Sequence, residues 1–269
     1  MNNKIFFKIG AVLSLIIIAY VFFITFVITP KITSYLVELE TKQAQIQLDR
    51  ISAIIDSKEN YLKEFRSIRI TQHRKNIRNI SYIAQSILKN HFEMYEKGLL
   101  SKEEAFNSAI KVISKIRYGH KDDYIFILDK QGTLVFHPDK RYHKKNIFNT
   151  KDYSGRRFVD EIIKNSISEG ETYTSYTWSK LNSDLVSEKI VHSLYINSFD
   201  VIISTGVYLQ NIKQELEIEK EKVVRELDPF IKSIMIEDSG YIFVMNSKYN
   251  IVLHPDDDLI NKNLKSIGG

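Results

Sequence analysis

The chain repeats itself at a fixed, domain-sized distance. Tyr124-Ile-Phe126 recurs as Tyr241-Ile-Phe243, His137-Pro138-Asp139 as His254-Pro255-Asp256, and Lys145-Asn146 as Lys262-Asn263, each pair 117 residues apart. Three matches in one ungapped register mark a duplicated module rather than a solenoid, whose units run to roughly 20–50 residues. From the equivalent point the first copy continues through further strand- and helix-like segments to about Gln210, whereas the second runs out at Gly269. The expectation is one full module followed by an incomplete one.

Ahead of the repeat lies an uncharged run, Ile9 to Thr29, reading IGAVLSLIIIAYVFFITFVIT. At about 1.5 Å rise per residue it is long enough to cross a ~30 Å hydrocarbon core. Lys4 and Lys8 precede it, and the positive-inside rule puts that short end in the cytoplasm and the remainder of the chain outside. A cleaved signal peptide is the competing reading. The run is too long for a usual signal core, and Thr29-Pro30-Lys31-Ile32 makes a poor small-x-small cleavage site. The sequence thus predicts an inner-membrane protein with one visible span and its bulk extracytoplasmic: 1–8 cytoplasmic, 9–29 transmembrane, 30–118 helical, 119–210 the first module, 211–235 a connecting helix, and 236–269 the incomplete second module.

Between Ile32 and Lys97 there is neither Pro nor Gly, and Leu36, Leu39, Ile46, Ile54, Tyr61, Phe65, Ile68, Ile77, Ile80, Ile83 and Ile87 recur at helical steps. That predicts a long helix whose apolar stripe pairs with a second copy, a parallel homodimer. Gly98 ends it, and Ser101-Lys-Glu-Glu104 reads as a capping box opening a second helix to about Ile116. Lys63, Arg66, Arg69, Arg74, Lys75 and Arg78 read as a solvated face rather than an anion site. The net charge of +5 is dispersed, so no nucleic-acid partner is expected. The absence of cysteine excludes disulfides, thiolate catalysis and Cys-ligated zinc.

From Tyr124 the pattern changes. YIFIL is strand-like, Asp129-Lys-Gln-Gly132 a turn, and Thr133 to Phe136 a second strand closing a hairpin. Asp152 to Ser168 is patterned as a helix, and strands come next at Thr172 to Trp178, Lys189 to Tyr195 and Val201 to Val207. The fold class is α+β, an antiparallel five-stranded sheet with flanking helices. Gln210 to about Met235 is a further amphipathic helix, interrupted at Asp228-Pro229.

In order, YIFILDKQGTLVFHP, Lys145-Asn146, Asp152-x-x-Gly155 with Phe158, Glu169-Gly170, Tyr176-x-Trp178, Lys189 with Tyr195, and Ser204-Thr-Gly-Val-Tyr208 make the stretch from Asp122 to Gln210 resemble a type 2 Cache domain. With Ser239 to Gly269 the whole resembles the double-Cache sensory region of bacterial receptors. Thr172 stands where a second glycine is expected, Leu181 where a proline is common, and Phe199-Asp200 in place of a tryptophan. The resemblance implies a PAS-like ligand sensor outside the membrane, in a histidine kinase, chemoreceptor or nucleotide cyclase, binding a short carboxylate on one sheet face.

The candidate ligand-binding residues are Lys189, Tyr176, Trp178, Tyr195, His137 and Tyr208. Tyr176 and Trp178 are two apart on one strand and share a face, as do Lys189 and Tyr195 on the next. By residue type alone they form either an aromatic box with one cation or a core strand beside an exposed lysine; the resemblance favours the box. His137 serves either a turn or the ligand, and Tyr208 is either pocket wall or packing anchor. Asp129 reads as turn chemistry. No catalytic motif, metal cluster or cofactor fingerprint stands out. The region is therefore expected to be non-enzymatic, with an anchored scaffold or adhesion module, or an anchored enzyme, as the rival readings.

Overall fold

The computed structural model describes residues 3–119, 123–236 and 240–267. The expected starts of the family resemblance at Asp122 and Ser239, and its end at Gly269, lie outside them. Helix α1 covers Asn3–Phe23 and α2 covers Thr29–Glu96, joined by a π-helical turn at Ile24–Ile28. Pro30 has no N–H to give the carbonyl four residues back. The wider turn absorbs that loss: Thr29 donates its backbone N–H to Ile24 O, and its Oγ1 reaches the same oxygen at 3.0 Å. The apolar segment therefore runs without a break into the long helix. One helix, Phe6–Glu96, is long and apolar enough to cross a membrane near its N-terminus.

The chain forms two compact units, Tyr61–Glu221 and Met1–Asn60 with Lys222–Gly269. In the first, α3 (Lys102–Ile113) opens on a capping box in which Ser101 Oγ accepts the Glu104 N–H while the Glu104 carboxylate takes the Ser101 N–H. Such caps contribute about 1 kcal/mol. Strands β1 (Arg117–Tyr118), β2 (Asp123–Asp129), β3 (Leu134–Phe136), β4 (Glu171–Ser179), β5 (Val186–Ile196) and β6 (Val201–Tyr208) form one antiparallel sheet in the order β1-β2-β6-β5-β4, with β3 paired to β2. The short β1 makes it six-stranded, one more than expected. One sheet face packs Tyr124, Phe126, Leu128, Tyr176, Trp178 and Val191 against α4 (Val159–Glu169). The other packs Ile125, Ile127, Leu194 and Ile203 against Ala84 and Leu88 of α2 and Ala109 and Ile113 of α3. The alternation along β2 is the period-two signature of a strand buried on both sides.

Helix α4 starts seven residues later than the apolar pattern suggests. The Asp152 carboxylate instead holds a loop, accepting the backbone N–H groups of Ser154 and Arg156 and, across to β4, that of Thr177. A side chain that satisfies its own following backbone outcompetes the helix there. Helix α5 (Leu209–Lys232) contains Pro229 without interruption. Only one further turn comes after the proline, and the Ser233 N–H closes it on Pro229 O.

In the second unit, β9 (Val244–Met245) and β10 (Ile251–Leu253) form a hairpin beside the short pair β7 (Met235–Ile236) and β8 (Gly240–Tyr241). Here several single hydrogen bonds recur at positions 117 residues apart. Asn146 Nδ2 donates to Gln131 O at 2.7 Å, and Asn263 Nδ2 to Lys248 O at 2.8 Å. The Lys144 and Asn261 N–H groups donate to Leu134 O and Ile251 O, both at 2.8 Å, and both residues are left-handed, with φ 61° and 67°. Tyr124 and His137 meet edge to face with ring centroids 4.9 Å apart, as do Tyr241 and His254.

Candidate functional site

Strand register decides which candidates meet. Tyr176 of β4 pairs with Lys189 of β5, which pairs with Tyr208 of β6. The three lie in one row across the sheet, on the face that carries α4. The Lys189 side chain is fully buried, and its Nζ has no hydrogen-bond partner among the described residues. It lies 3.8 Å from the centre of the Tyr124 ring, 4.9 Å from Tyr208 and 5.6 Å from Phe126. Cation–π attraction offsets only part of the lost hydration. Burial accordingly drives the ammonium down to about 7, with the nearby Asp123 charge working in the opposite direction.

The walls are aromatic. Phe158 stacks on Tyr176 at 3.9 Å and meets Trp178 edge to face at 5.6 Å. Tyr142, from the loop after β3, closes over Trp178 at 5.2 Å and His137 at 5.3 Å. Tyr208 is fixed by donating its hydroxyl to Ser179 O at 2.7 Å. Burial raises Tyr124 and Tyr176 well above the ordinary phenol range, so both keep their protons. His137 accepts the Asp139 N–H at Nδ1, 3.0 Å away. Burial, then the Lys189 charge, hold it down to about 3. It is a neutral imidazole in the chamber wall, serving the turn and the chamber at once.

Tyr195 is the candidate that the fold separates. It shares a sheet face with Lys189 but lies six residues further along β5, about 20 Å at strand rise. Its hydroxyl donates to Asp200 and its ring carries Lys130 at 5.3 Å. Sharing a face is a weaker condition than sharing a row.

Four contributors escaped the sequence reading. Tyr124 and Phe126 lay inside a run read only as strand. Tyr142 lay in a loop without pattern. Gly206 has a role visible only in three dimensions: a Cβ there would fall 2.5 Å from Lys189 Cε, 2.8 Å from Val191 Cγ2 and 3.0 Å from Ile190 O. Glycine leaves the lysine stem its path. The Gly206 peptide is held on its other side by Tyr118, whose hydroxyl accepts the Gly206 N–H at 2.8 Å.

A family model described as Cache domain matches residues 30–268. The chain belongs to the Cache family. Its curated relatives include the sensor histidine kinase MctS of Rhizobium johnstonii, 25% identical over 51% of this chain and 29% of the relative. The methyl-accepting chemotaxis protein McpP of Pseudomonas putida is 26% identical over 51% of this chain and 25% of the relative. CtpM of Pseudomonas aeruginosa, also a methyl-accepting chemotaxis protein, is 27% identical over 65% of this chain and 30% of the relative. The chain thus spans under a third of the length of these relatives. A solved Cache chemosensory domain described as recognising carboxylic acids superposes with TM-score 0.50 at 23% identity, covering 53% of this chain and 97% of that one. A periplasmic sensor domain of a chemotaxis protein does so with TM-score 0.50 at 18% identity, covering 52% and 97%. These likenesses establish the fold as that of the Cache sensor domains of chemoreceptors and histidine kinases.

The opposite face of the Cache sheet carries a second polar cluster. His192 Nδ1 lies 2.9 Å from Ser81 Oγ and its Nε2 3.1 Å from Glu171 Oε2. A serine, an imidazole and a carboxylate in that order have the connectivity of a hydrolytic triad. Ser81 and His192 are nevertheless both fully buried between α2 and the sheet, and Ser81 also contacts Thr205 Oγ1 at 2.8 Å and Ile77 O at 3.1 Å. Arg78 and Tyr82 of α2 grip the Glu171 carboxylate at 2.6 and 2.7 Å. The hydrogen bond from Arg78 is the largest cause holding Glu171 down to about 2. The cluster pins α2 to β4, β5 and β6. A cavity of about 350 Å³ on the same face is lined by His73, Asn76, Ile77, Tyr118, Asp123 and Val207 among others, with no Lys or Arg among the described residues. Among the described residues no three metal-binding side chains converge.

Proposed function

We propose that the chain is the extracytoplasmic sensory region of a membrane receptor and binds a small organic acid in the first module, residues 119–210. The observation that carries this is Lys189, a fully buried cation whose Nζ has no hydrogen-bond partner among the described residues and lies against the rings of Tyr124, Tyr208 and Phe126. A carboxylate leaving water must regain a charge and several hydrogen bonds. Lys189 supplies the charge, and the hydroxyls of Tyr124 and Tyr176 and the His137 ring are the further donors on the same sheet face. The rings of Phe158 and Trp178 enclose the carbon chain. Carboxylic acid recognition by a protein of the same fold supports the reading. Calorimetry on the full chain in detergent micelles, titrated with acetate, propionate, lactate and pyruvate, is expected to show saturable binding of at least one. The close packing of Phe158 on Tyr176 favours the rival reading, an anchored scaffold with no small ligand, and silence toward every acid would decide for it.

In the same proposal, 9–29 is the membrane span, 211–235 connects the modules, 236–269 begins the second module, and the output is a kinase, chemoreceptor or cyclase activity carried elsewhere in the receptor. Ile32, Leu36, Leu39 and Ile46 on α2 are all exposed, at 54%, 50%, 38% and 51%, and a parallel second copy would cover them. The chain has no cysteine, so single cysteines placed from Ile32 to Ile46 report cleanly. Oxidation is expected to crosslink them with a helical period, and a membrane-impermeant maleimide is expected to label them in intact cells. Uniform crosslinking rules out the seam, and labelling only after lysis rules out the orientation.

A further inference from the structure

The chamber holds its cation in an unusual condition. An ammonium normally keeps at least part of its hydration or a carboxylate partner. Lys189 is fully buried, its Nζ has no hydrogen-bond partner among the described residues, and it rests on the face of Tyr124 at 3.8 Å. The stem runs close over Gly206, where an added Cβ would fall 2.5 Å from Lys189 Cε. In this buried position the charge is not hydrated, so without a ligand the low-cost response is to lose the proton.

We infer that the site takes up its acid together with one proton, so that Lys189 is largely uncharged in the empty, closed chamber at mildly alkaline pH and becomes an ammonium only when a carboxylate arrives. This rests on the acid-sensing function proposed for the first module and adds its regulation: the receptor reads the acid and the pH jointly. The balance is simple. One carboxylate, one amine and one proton from solvent give one ammonium–carboxylate pair; no bond other than N–H forms, and the net charge of the complex equals that of the empty site.

The groups facing Lys189 support that assignment. Tyr124 from β2, Tyr176 from β4 and Tyr208 from β6 are all raised above the ordinary phenol range, chiefly by burial. His137 stays neutral down to about 3. In the same loop, hydrogen bonds from Arg141 keep Asp139 below the usual carboxylate range, and Tyr142 closes over His137 and Trp178. Lys180 Nζ lies over the Tyr208 ring, 5.8 Å from its centre. The charge of Asp123, at the start of β2, acts on Lys189 and favours the ammonium. Lys189, held down to about 7, is the group in this set placed to titrate between pH 6 and 9.

The test is calorimetry of the full chain in micelles with whichever acid of the panel binds, in two buffers of different ionisation enthalpy. At pH 6 the apparent enthalpy is expected to be the same in both. At pH 8.5 the difference is expected to correspond to nearly one proton taken up, and affinity is expected to fall roughly tenfold per pH unit once Lys189 is mostly neutral. Asp123→Asn removes the charge that supports the ammonium and is expected to move the break in affinity to lower pH. Lys189→Arg keeps a charge that does not titrate and, if it folds and binds, is expected to bind without pH dependence. Acid binding with equal enthalpies in both buffers at pH 8.5 and a flat affinity overturns proton uptake and leaves the acid reading standing. Proton uptake that survives Lys189→Arg but vanishes in Asp123→Asn moves the titration to the wrong residue and overturns the assignment. No binding by any acid at any pH overturns the acid reading itself, and this inference with it.

Discussion

Lys189→Met is expected to abolish acid binding and at the same time to make the empty protein more stable. Methionine fills nearly the same channel beside Gly206 without a charge, so both effects trace to the ammonium. On the binding side, removing one partner of a buried charge pair costs on the order of 2–5 kcal/mol, roughly 30- to 4,000-fold in affinity. On the stability side, the sign comes from linkage. Lys189 is held down to about 7 in the folded chain against an ordinary 10.5. Between those values the unfolded chain carries a proton that the folded chain does not, so this lysine's contribution to stability rises with pH across that window. Its penalty is therefore fully present below about pH 7 and gone by about pH 10.5. The gain in melting temperature of Lys189→Met over the parent should be largest near pH 6 and shrink toward pH 10. A variant that melted below its parent at pH 6 would mean that Lys189 already has a favourable partner, contrary to its position over the Tyr124 ring.

Gly206→Ala is expected to damage the same site from behind. The added Cβ would sit 2.5 Å from Lys189 Cε and 3.0 Å from the Ile190 carbonyl. The lysine can bend, but the backbone of β5 cannot move without disturbing its ladder with β6. Overpacking of this kind costs about 1–3 kcal/mol, and the melting temperature should fall accordingly. Acid affinity measured well below the melting transition should also drop, because the ammonium is pushed off the row it shares with Tyr176 and Tyr208. Loss of stability with full retention of affinity would show that the stem of Lys189 has a second route, and that Gly206 serves only the packing of the strand pair.

The buried cluster of Ser81, His192 and Glu171 bears on the enzymatic rival. Its connectivity looks catalytic, yet Ser81 and His192 are sealed between α2 and the sheet. It ties the helix to strands whose other face carries Lys189 and Tyr208.

Much of this protein was legible in its residue order, for a definable reason. Signals that depend on local periodicity or short-range chemistry came through: the uncharged span, the long helix, the Ser101 capping box, the α+β alternation and the 117-residue repeat. The repeat was readable because the turn after each His-Pro-Asp needs the same backbone bonds in both copies, including left-handed residues at Lys144 and Asn261. Strand parity likewise put Tyr176 with Trp178 on one strand and Lys189 with Tyr195 on the next, and the family resemblance favoured joining the two pairs. What parity lacks is position along the strand and the register of one strand on the next. Those were decided only when β4, β5 and β6 paired, and they separated Tyr195 from the chamber while bringing Tyr208 into line with Lys189. The same pairing supplied Tyr124, Phe126 and the gap at Gly206. The late start of α4 is part local and part not: the Asp152 carboxylate accepts the N–H groups of Ser154 and Arg156 just after it, and also that of Thr177 across the fold, a long-range bond that no window of neighbouring residues contains. Local sequence specifies which elements form and which faces are apolar. Where a charge ends up without water depends on contacts between residues far apart in the chain, and only the folded sheet brings those together.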